Sequence, residues 1–136
     1  MNRGSRWAFL GLVVAQAAHS LEEYSTRLYE VLAPARFVSG LVFEDRRIGF
    51  VIFNVSLAAF GLWCFLGPVW RGGRAGVALA WFWVVLELAN GLAHVGWAVS
   101  AREYRPGLLT APVLLAMALV LAWQLRRSSV AARAAA

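Results

Sequence analysis

The stretch Trp7–Glu23, WAFLGLVVAQAAHSLEE, places polar and ionisable side chains at the end of an apolar run. These polar side chains are Gln16, His19, Ser20, Glu22 and Glu23. An apolar run of this kind is typical of a membrane-spanning helix, in which ionisable groups are costly and therefore mark a functional site. The stretch predicts a membrane helix whose last turns carry a polar cluster.

The composition of the whole chain agrees with a membrane protein. Of the 136 residues, 61% are hydrophobic and 15% are charged, against roughly 45–50% and about 25% in soluble globular domains. The net charge of +6 comes from arginines in the termini and connections, so we interpret it as a topology signal and not as a nucleic-acid-binding face. The single cysteine, Cys64, excludes an intrachain disulfide and any cysteine-based zinc or iron–sulfur site.

Four segments are apolar over about 20 residues, the length that spans a bilayer. They are residues 6–24, 48–68, 76–99 and 107–125. Gly67-Pro68, the arginine–glycine turn at 71–74 and Arg105-Pro106-Gly107 separate the last three. The sequence therefore predicts an all-α, integral-membrane four-helix bundle in one domain, residues 1–127. Residues 24–47 form an outer connection, and residues 128–136 are predicted to be a disordered tail.

The arginines also orient the four predicted spans. The N-terminus, the 71–74 loop and the C-terminal tail carry seven arginines and no acidic residue, whereas the other two connections carry six arginines with four acidic residues. By the positive-inside rule, both termini of this multi-pass cell-membrane protein are cytoplasmic. Cleavage after the first apolar run is an open alternative, because Arg3, Arg6 and Ala15-Gln16-Ala17 also match a signal peptide.

A second polar cluster lies inside the most hydrophobic segment. Glu87, Asn90 and His94 share one helical face, as do His19 and Glu23. With the predicted orientation, both clusters lie in the outward half of the membrane, so we expect one shared polar cavity. The candidate catalytic residues are His19, Glu22, Glu23, Glu87, Asn90 and His94. The candidate substrate-binding residues, from the other spans and the last connection, are Asn54, Tyr104 and Thr110.

Three motifs carry a resemblance to a known family. They are His19-x-x-Glu22-Glu23, Asn90-x-x-x-His94 and Tyr104-x-Pro106-Gly107-x-x-Thr110. With these motifs the chain resembles the HXXEE-domain family of small bacterial membrane proteins. The resemblance implies an integral-membrane domain, and the family name describes a motif and not an activity.

The leading hypothesis is an enzyme that acts on a lipophilic small molecule entering from the lipid bilayer. In its metal-free form, a protonated glutamate is the general acid and a neutral histidine or second carboxylate is the base. This form needs no cofactor. It suits isomerisation, cyclisation or epoxide opening, in which a proton enters at one point and leaves at another.

Two alternatives remain open from the sequence. In the first, a metal-dependent oxidoreductase or hydrolase binds iron, manganese or zinc through these candidate ligands: His19, Glu22, Glu23, Glu87 and His94. In the second, the protein is a non-enzymatic carrier or accessory subunit, and the polar residues form a relay or a partner contact. The small residues Gly11, Ala15 and Gly91 would support close helix contact or a homo-oligomer.

Overall fold

The computed structural model describes the backbone of residues 1–134 and the side chains of residues 1–129, and these residues form helices and no strand. The all-α prediction is confirmed. The helices are α1 (Arg3–Ser25), α2 (Leu28–Val31), α3 (Ala33–Val42), α4 (Arg46–Cys64), α5 (Arg74–Ala101) and α6 (Ala111–Ala134). A π-helical segment, Phe65–Val69, continues α4.

The four segments predicted as spans overlap the four long helices α1, α4, α5 and α6, with shifted ends. Two of these, Arg46–Val69 and Arg74–Ala101, are long and apolar enough to cross a membrane. The outer connection at 24–47 is not a simple loop, because it contains α2 and α3. Helix α6 continues to Ala134, so residues 128–134 are helical where the sequence predicts a disordered tail. The last two residues of that predicted tail, 135 and 136, lie outside the described residues.

Local chemistry explains where the helices begin and end. The Asn2 side chain accepts a hydrogen bond from the Ser5 backbone N–H at 2.8 Å and caps α1, and Asp45 caps α4 in the same way. Pro68 has no N–H to donate and lies in the π-helical segment, where the helical hydrogen-bond ladder is already irregular. Gly72 has a φ of 75° and turns the chain into α5.

Helix α6 packs against both α1 and α5, and α1 also contacts α4. Gly11 of α1 faces Met117, and Gly91 of α5 faces Leu115, so these two small residues let α6 approach closely. Gly11 and Gly91 therefore support close helix contact within one chain. Helix α3 packs across the start of α4, where Gly49 lies directly against the backbone of Ser39.

The interior divides into two regions along the long helices. The apolar half, near the start of α1, contains fully buried side chains from α1, α5 and α6: Phe9, Leu12, Trp83, Leu114 and Leu121. The polar half, near the connection between α5 and α6, contains most of the buried polar side chains: Gln16, His19, Glu23, Glu87 and His94. The arrangement of α1 follows directly from its sequence, since its first turns are apolar and its last turns are polar.

Candidate functional site

Two imidazoles and one carboxylate converge from α1 and α5 in the polar half. Glu23 Oε1 lies 3.0 Å from His94 Nε2 and 3.4 Å from His19 Nε2. The three side chains are buried, and the two rings meet edge to face with their centroids 4.7 Å apart. We call His19, Glu23 and His94 the His–Glu cluster. Helical spacing places His19 and Glu23 on one face of α1, and the packing of α5 brings His94 to them.

Hydrogen bonds establish which nitrogen of each ring carries a proton. His94 Nδ1 lies 2.6 Å from the carbonyl oxygen of Pro106, which can only accept. His19 Nδ1 lies 2.7 Å from Thr110 Oγ1. Because the Thr110 hydroxyl donates to a carboxylate oxygen of Glu22 at 2.5 Å, its own oxygen accepts from His19. Both Nδ1 atoms are therefore donors, and a neutral imidazole at either position has its lone pair on Nε2.

Glu22 has a different role from its neighbour Glu23. Its carboxylate accepts hydrogen bonds from the Tyr104 hydroxyl at 2.7 Å and from the backbone N–H groups of Leu109 at 3.0 Å and Thr110 at 2.8 Å. Successive residues on a helix point about 100° apart, which is why the two glutamates reach different partners. Partial burial and then the hydrogen bond to Glu22 raise the pKa of Tyr104 to about 12. Glu22 thus holds the start of α6 in place behind His19.

The backbone of Gly107 lies directly against both imidazole rings. Its φ of 87° is one that residues with a side chain rarely adopt. A Cβ at this position would lie 2.5 Å from His94 Nδ1 and 2.9 Å from His19 Cε1. Pro106 and Gly107 were not among the candidate site residues. The Pro-Gly pair in the last motif is typical of a tight turn, and a glycine there allows the backbone to approach other side chains closely.

Glu87 belongs to a separate hydrogen-bonded group. Asn90 Nδ2 donates to Glu87 Oε2 at 3.3 Å and to Gln16 Oε1 at 3.4 Å. Gln16 then donates to Ser20 at 3.1 Å, and Ser20 donates to Asn54 at 2.7 Å. We call these five residues the amide chain, which links α5, α1 and α4. Within the described part of the protein, Glu87 Oε1 is buried without a hydrogen-bond partner.

A cavity of about 510 Å³ reaches both polar groups. It lies between α4 and α5, and α3 closes one side. Its walls are mostly apolar: Phe53, Leu57, Phe82, Leu86 and Val38. Its polar lining comes from residues of both groups: Gln16, Glu23, Asn54, Glu87, Asn90 and His94. A larger surface hollow of about 720 Å³, among charged residues at the α1 end and the α4 start, contains none of the candidate residues.

The structure separates the candidate residues into three sets. His19, Glu23 and His94 form one set, and Glu87, Asn90 and Asn54 belong to the amide chain. Glu22, Tyr104 and Thr110 form the third, which supports His19. Tyr104 and Thr110 do not line the cavity, so a substrate in the cavity would not contact them as predicted. Asn54 does line it. Gln16 and Ser20, which complete the amide chain, were not predicted as site residues.

Comparison with known proteins adds one match. A family model described as "Protein of unknown function with HXXEE motif" matches residues 10–122. No curated protein and no solved structure matches the chain. The matched range includes every residue of the His–Glu cluster and of the amide chain.

Proposed function

Since the chain belongs to the HXXEE family, we propose that it is a small integral-membrane enzyme that acts on a lipophilic substrate by Glu/His acid–base chemistry. One observation carries the proposal. An apolar-walled cavity between two helices ends on buried glutamate and histidine side chains contributed by α1 and α5. The family description names the motif that supplies Glu23, which lines the cavity, and His19, which lies against Glu23.

The distribution of side chains supports insertion in a membrane. Large apolar side chains point outward on α4 and α5: Val55 is 62% exposed, Val85 64% and Val99 71%. On α5 and α1, by contrast, buried glutamate and histidine side chains point inward: Glu87, His94, His19 and Glu23. A protein dissolved in water buries apolar side chains first and seldom buries charged ones, whereas a bilayer favours an apolar outer surface. We propose four spans with both termini cytoplasmic, as the arginine distribution predicts.

Labelling of single cysteines tests this topology. Cys64 is buried and is the only cysteine, so Cys64→Ala provides a background for Glu44→Cys on the outer connection and Arg71→Cys on the opposite loop. We expect a membrane-impermeant maleimide to label Glu44→Cys in intact cells and to label Arg71→Cys only after lysis. Equal labelling of both in intact cells would contradict the proposed topology.

The position of the cavity suggests how a substrate enters. Two of its walls belong to α4 and α5, which within the described residues have the length and apolar composition to cross a membrane. A lipophilic molecule can therefore move from the acyl-chain region into the cavity without crossing water. Burial of its apolar surface against Phe53, Leu57 and Leu86 would hold it beside the polar groups.

The two carboxyl groups that line the cavity have different surroundings, and such pairs commonly divide the acid and base roles. Glu87 has one oxygen near Asn90 and one without a partner, so in its protonated form it can donate a proton into the cavity. Glu23 lies between two imidazoles. We assign Glu87 as the proton donor and the His–Glu cluster as the acceptor.

With this assignment, proton donation and proton removal balance in three reaction classes. In epoxide opening, Glu87 would protonate the oxygen as its C–O bond breaks, and the His–Glu cluster would take a proton from the attacking hydroxyl or water. In isomerisation or cyclisation, protonation of a double bond at one carbon would be matched by loss of a proton from another carbon. A proton returned from the cluster to Glu87 restores the starting state, and no oxidant or reductant is consumed.

Mass spectrometry of lipophilic extracts tests the proposal. Membranes containing the wild type, Glu87→Gln or the exposed control Glu30→Gln would be incubated with a lipophilic extract of the native source. We expect the wild type and Glu30→Gln to convert the same compound into an isomer of equal mass or into a product heavier by one water. Folded Glu87→Gln should give no product. Conversion by Glu87→Gln at the wild-type rate, or no conversion by the wild type, would contradict the proposed function.

A further inference from the structure

In the His–Glu cluster, the Nε2 lone pairs of two neutral imidazoles and a carboxylate oxygen of Glu23 face one another. Too few protons lie between these atoms to pair all of them. Both Nδ1 atoms donate elsewhere, so each neutral imidazole directs an Nε2 lone pair toward Glu23 Oε1. A proton on His94 would satisfy the 3.0 Å contact with Glu23. It would leave His19 Nε2, which is buried and has no hydrogen-bond partner among the described residues, unsatisfied. Unsatisfied buried polar atoms are costly, whereas a single cation would satisfy all three donors.

Two of the three distances between donor atoms match the coordination sphere of a small divalent ion. Nitrogen and carboxylate ligands lie about 2.0–2.1 Å from zinc, so two neighbouring ligands are about 3.0 Å apart at right angles and about 3.4 Å apart in a tetrahedron. The structure has 3.0 Å and 3.4 Å between Glu23 Oε1 and the two Nε2 atoms. All three donor atoms lie within 4.8 Å of one another.

The partners of the two histidines are also those typical of metal ligands. A metal-bound histidine usually donates its other ring N–H to a carbonyl or carboxylate, which fixes the ring orientation. His94 donates to the carbonyl of Pro106, and His19 donates to Thr110, which in turn donates to the Glu22 carboxylate. These contacts hold both Nε2 atoms toward Glu23.

We infer that His19, Glu23 and His94 bind one divalent first-row transition-metal ion, of the zinc or iron(II) kind. Two imidazoles and one carboxylate suit such an ion, whereas magnesium and calcium prefer oxygen ligands alone. Glu22 is excluded because its oxygens hold the start of α6. Glu87 is excluded because it is not among the donor residues that lie close enough together to share one ion.

The ion would be the cofactor at the His–Glu cluster, which we assign as the proton acceptor. Its catalytic role rests on the proposed function. Such an ion makes bound water acidic enough to supply a base at neutral pH. Glu23 and His94 line the cavity, so an open coordination position beside them would be reachable by a substrate.

Binding of Zn²⁺ and Co²⁺ to the purified full-length chain tests the inference. After chelator treatment in detergent, we expect the wild type to bind one equivalent of Zn²⁺ by calorimetry and elemental analysis. Co²⁺ should give visible absorption bands that Zn²⁺ abolishes. His19→Gln, His94→Gln and Glu23→Gln should each lose stoichiometric binding, while Glu87→Gln, a matched change at another buried carboxyl group, should retain it.

Two results would overturn the metal site. One is a folded wild type that binds neither ion, and the other is retained stoichiometric binding in all three ligand variants. If the ligand variants do not fold, Thr110→Val is the second test, because it leaves every ligand in place and should weaken Zn²⁺ binding about 10–100-fold through His19. Unchanged affinity in folded Thr110→Val would then count against the site.

The two proposals fail separately. Product formation by a wild type that binds no metal would leave the proposed function and remove the metal site. Stoichiometric Zn²⁺ binding together with wild-type product formation by Glu87→Gln would leave the metal site and remove the acid–base assignment.

Discussion

The apolar half and the polar half are built from the same long helices and differ in how closely their side chains pack. In the apolar half, Phe9, Trp83 and Leu121 have no exposed surface. In the polar half, a cavity of about 510 Å³ separates α4 from α5. From this comparison we infer that close packing in one half provides the stability that an open site needs in the other.

The largest effect is expected in the apolar half. Leu121→Ala removes a fully buried side chain of α6 far from the His–Glu cluster. We expect a loss of about 2–5 kcal/mol in the free energy of unfolding, because the cavity left behind cannot fully close. Zn²⁺ affinity of the remaining folded protein should be unchanged. Unfolding in detergent measures the stability, and calorimetry measures the Zn²⁺ affinity. A loss of Zn²⁺ affinity without a loss of stability would contradict the division between a stabilising apolar half and a metal-binding polar half.

Gly107→Ala should damage the polar half in both respects. The added Cβ would meet both imidazoles, and the φ of 87° would be strained, at a cost of about 1–3 kcal/mol. We expect loss of stoichiometric Zn²⁺ binding and a lower unfolding temperature.

Gly96→Ala is the matched control for that change. It adds the same methyl group to α5 at a position where, apart from the neighbouring backbone of α5 itself, no atom lies within 4 Å. It should leave Zn²⁺ binding intact and stabilise the helix by up to about 1 kcal/mol. Equal behaviour of the two alanine variants would show that the backbone at Gly107 does not position the histidines.

Glu22→Gln should weaken the site without emptying it. Removing the carboxylate charge loosens Thr110 and hence His19, but the three ligands remain. We expect Zn²⁺ affinity to fall about 10–100-fold, as for other changes to the partners of metal ligands. Glu30→Gln, which removes an exposed carboxylate, should have no effect on affinity. An affinity for Glu22→Gln equal to that of the wild type would mean that His19 does not depend on this contact.

The smallest effect appears only at alkaline pH. The pKa of Tyr104 is raised from 10.0 to about 12. Its folded-state value is above the unfolded value, so the stability it contributes is fully present below about pH 10 and is lost as the pH rises toward 12. Ultraviolet titration, with Tyr104→Phe subtracted to isolate this phenol, should show a midpoint near 12 that falls toward 10 in Glu22→Gln. A midpoint near 10 in the wild type would contradict the contact with Glu22.

Much of the fold could be predicted because the helical signals are local. Apolar runs and the Gly and Pro breaks indicated the four long helices, and the family match confirms the resemblance carried by the three motifs. Disorder after Ser128 was predicted from composition, but α6 continues through that segment to Ala134. Helices α2 and α3 are short, and residues 24–47 were predicted as an outer connection, so α2 and α3 were not predicted as separate helices.

Within the site, helical spacing was sufficient to place His19 with Glu23 and Glu87 with Asn90. It could not separate the roles of Glu22 and Glu23, because both follow His19 at distances that allow contact. The separation depends on Leu109 and Thr110, just before α6, which donate hydrogen bonds to Glu22 and so leave Glu23 to the histidines. The contribution of Gly107 also depends on this packing, since no local pattern reveals which side chains a turn will contact.

The sequence by itself determined the helical class, the positions of the long helices and the residue types available for chemistry, because each of these depends on neighbours within a few residues along the chain. Only the tertiary structure decided that His19, Glu23 and His94 meet, that Glu22 turns to α6 and that an apolar cavity opens beside them. Those outcomes depend on how α1, α4, α5 and α6 pack, and helix packing is set by side-chain contacts between residues far apart in the sequence.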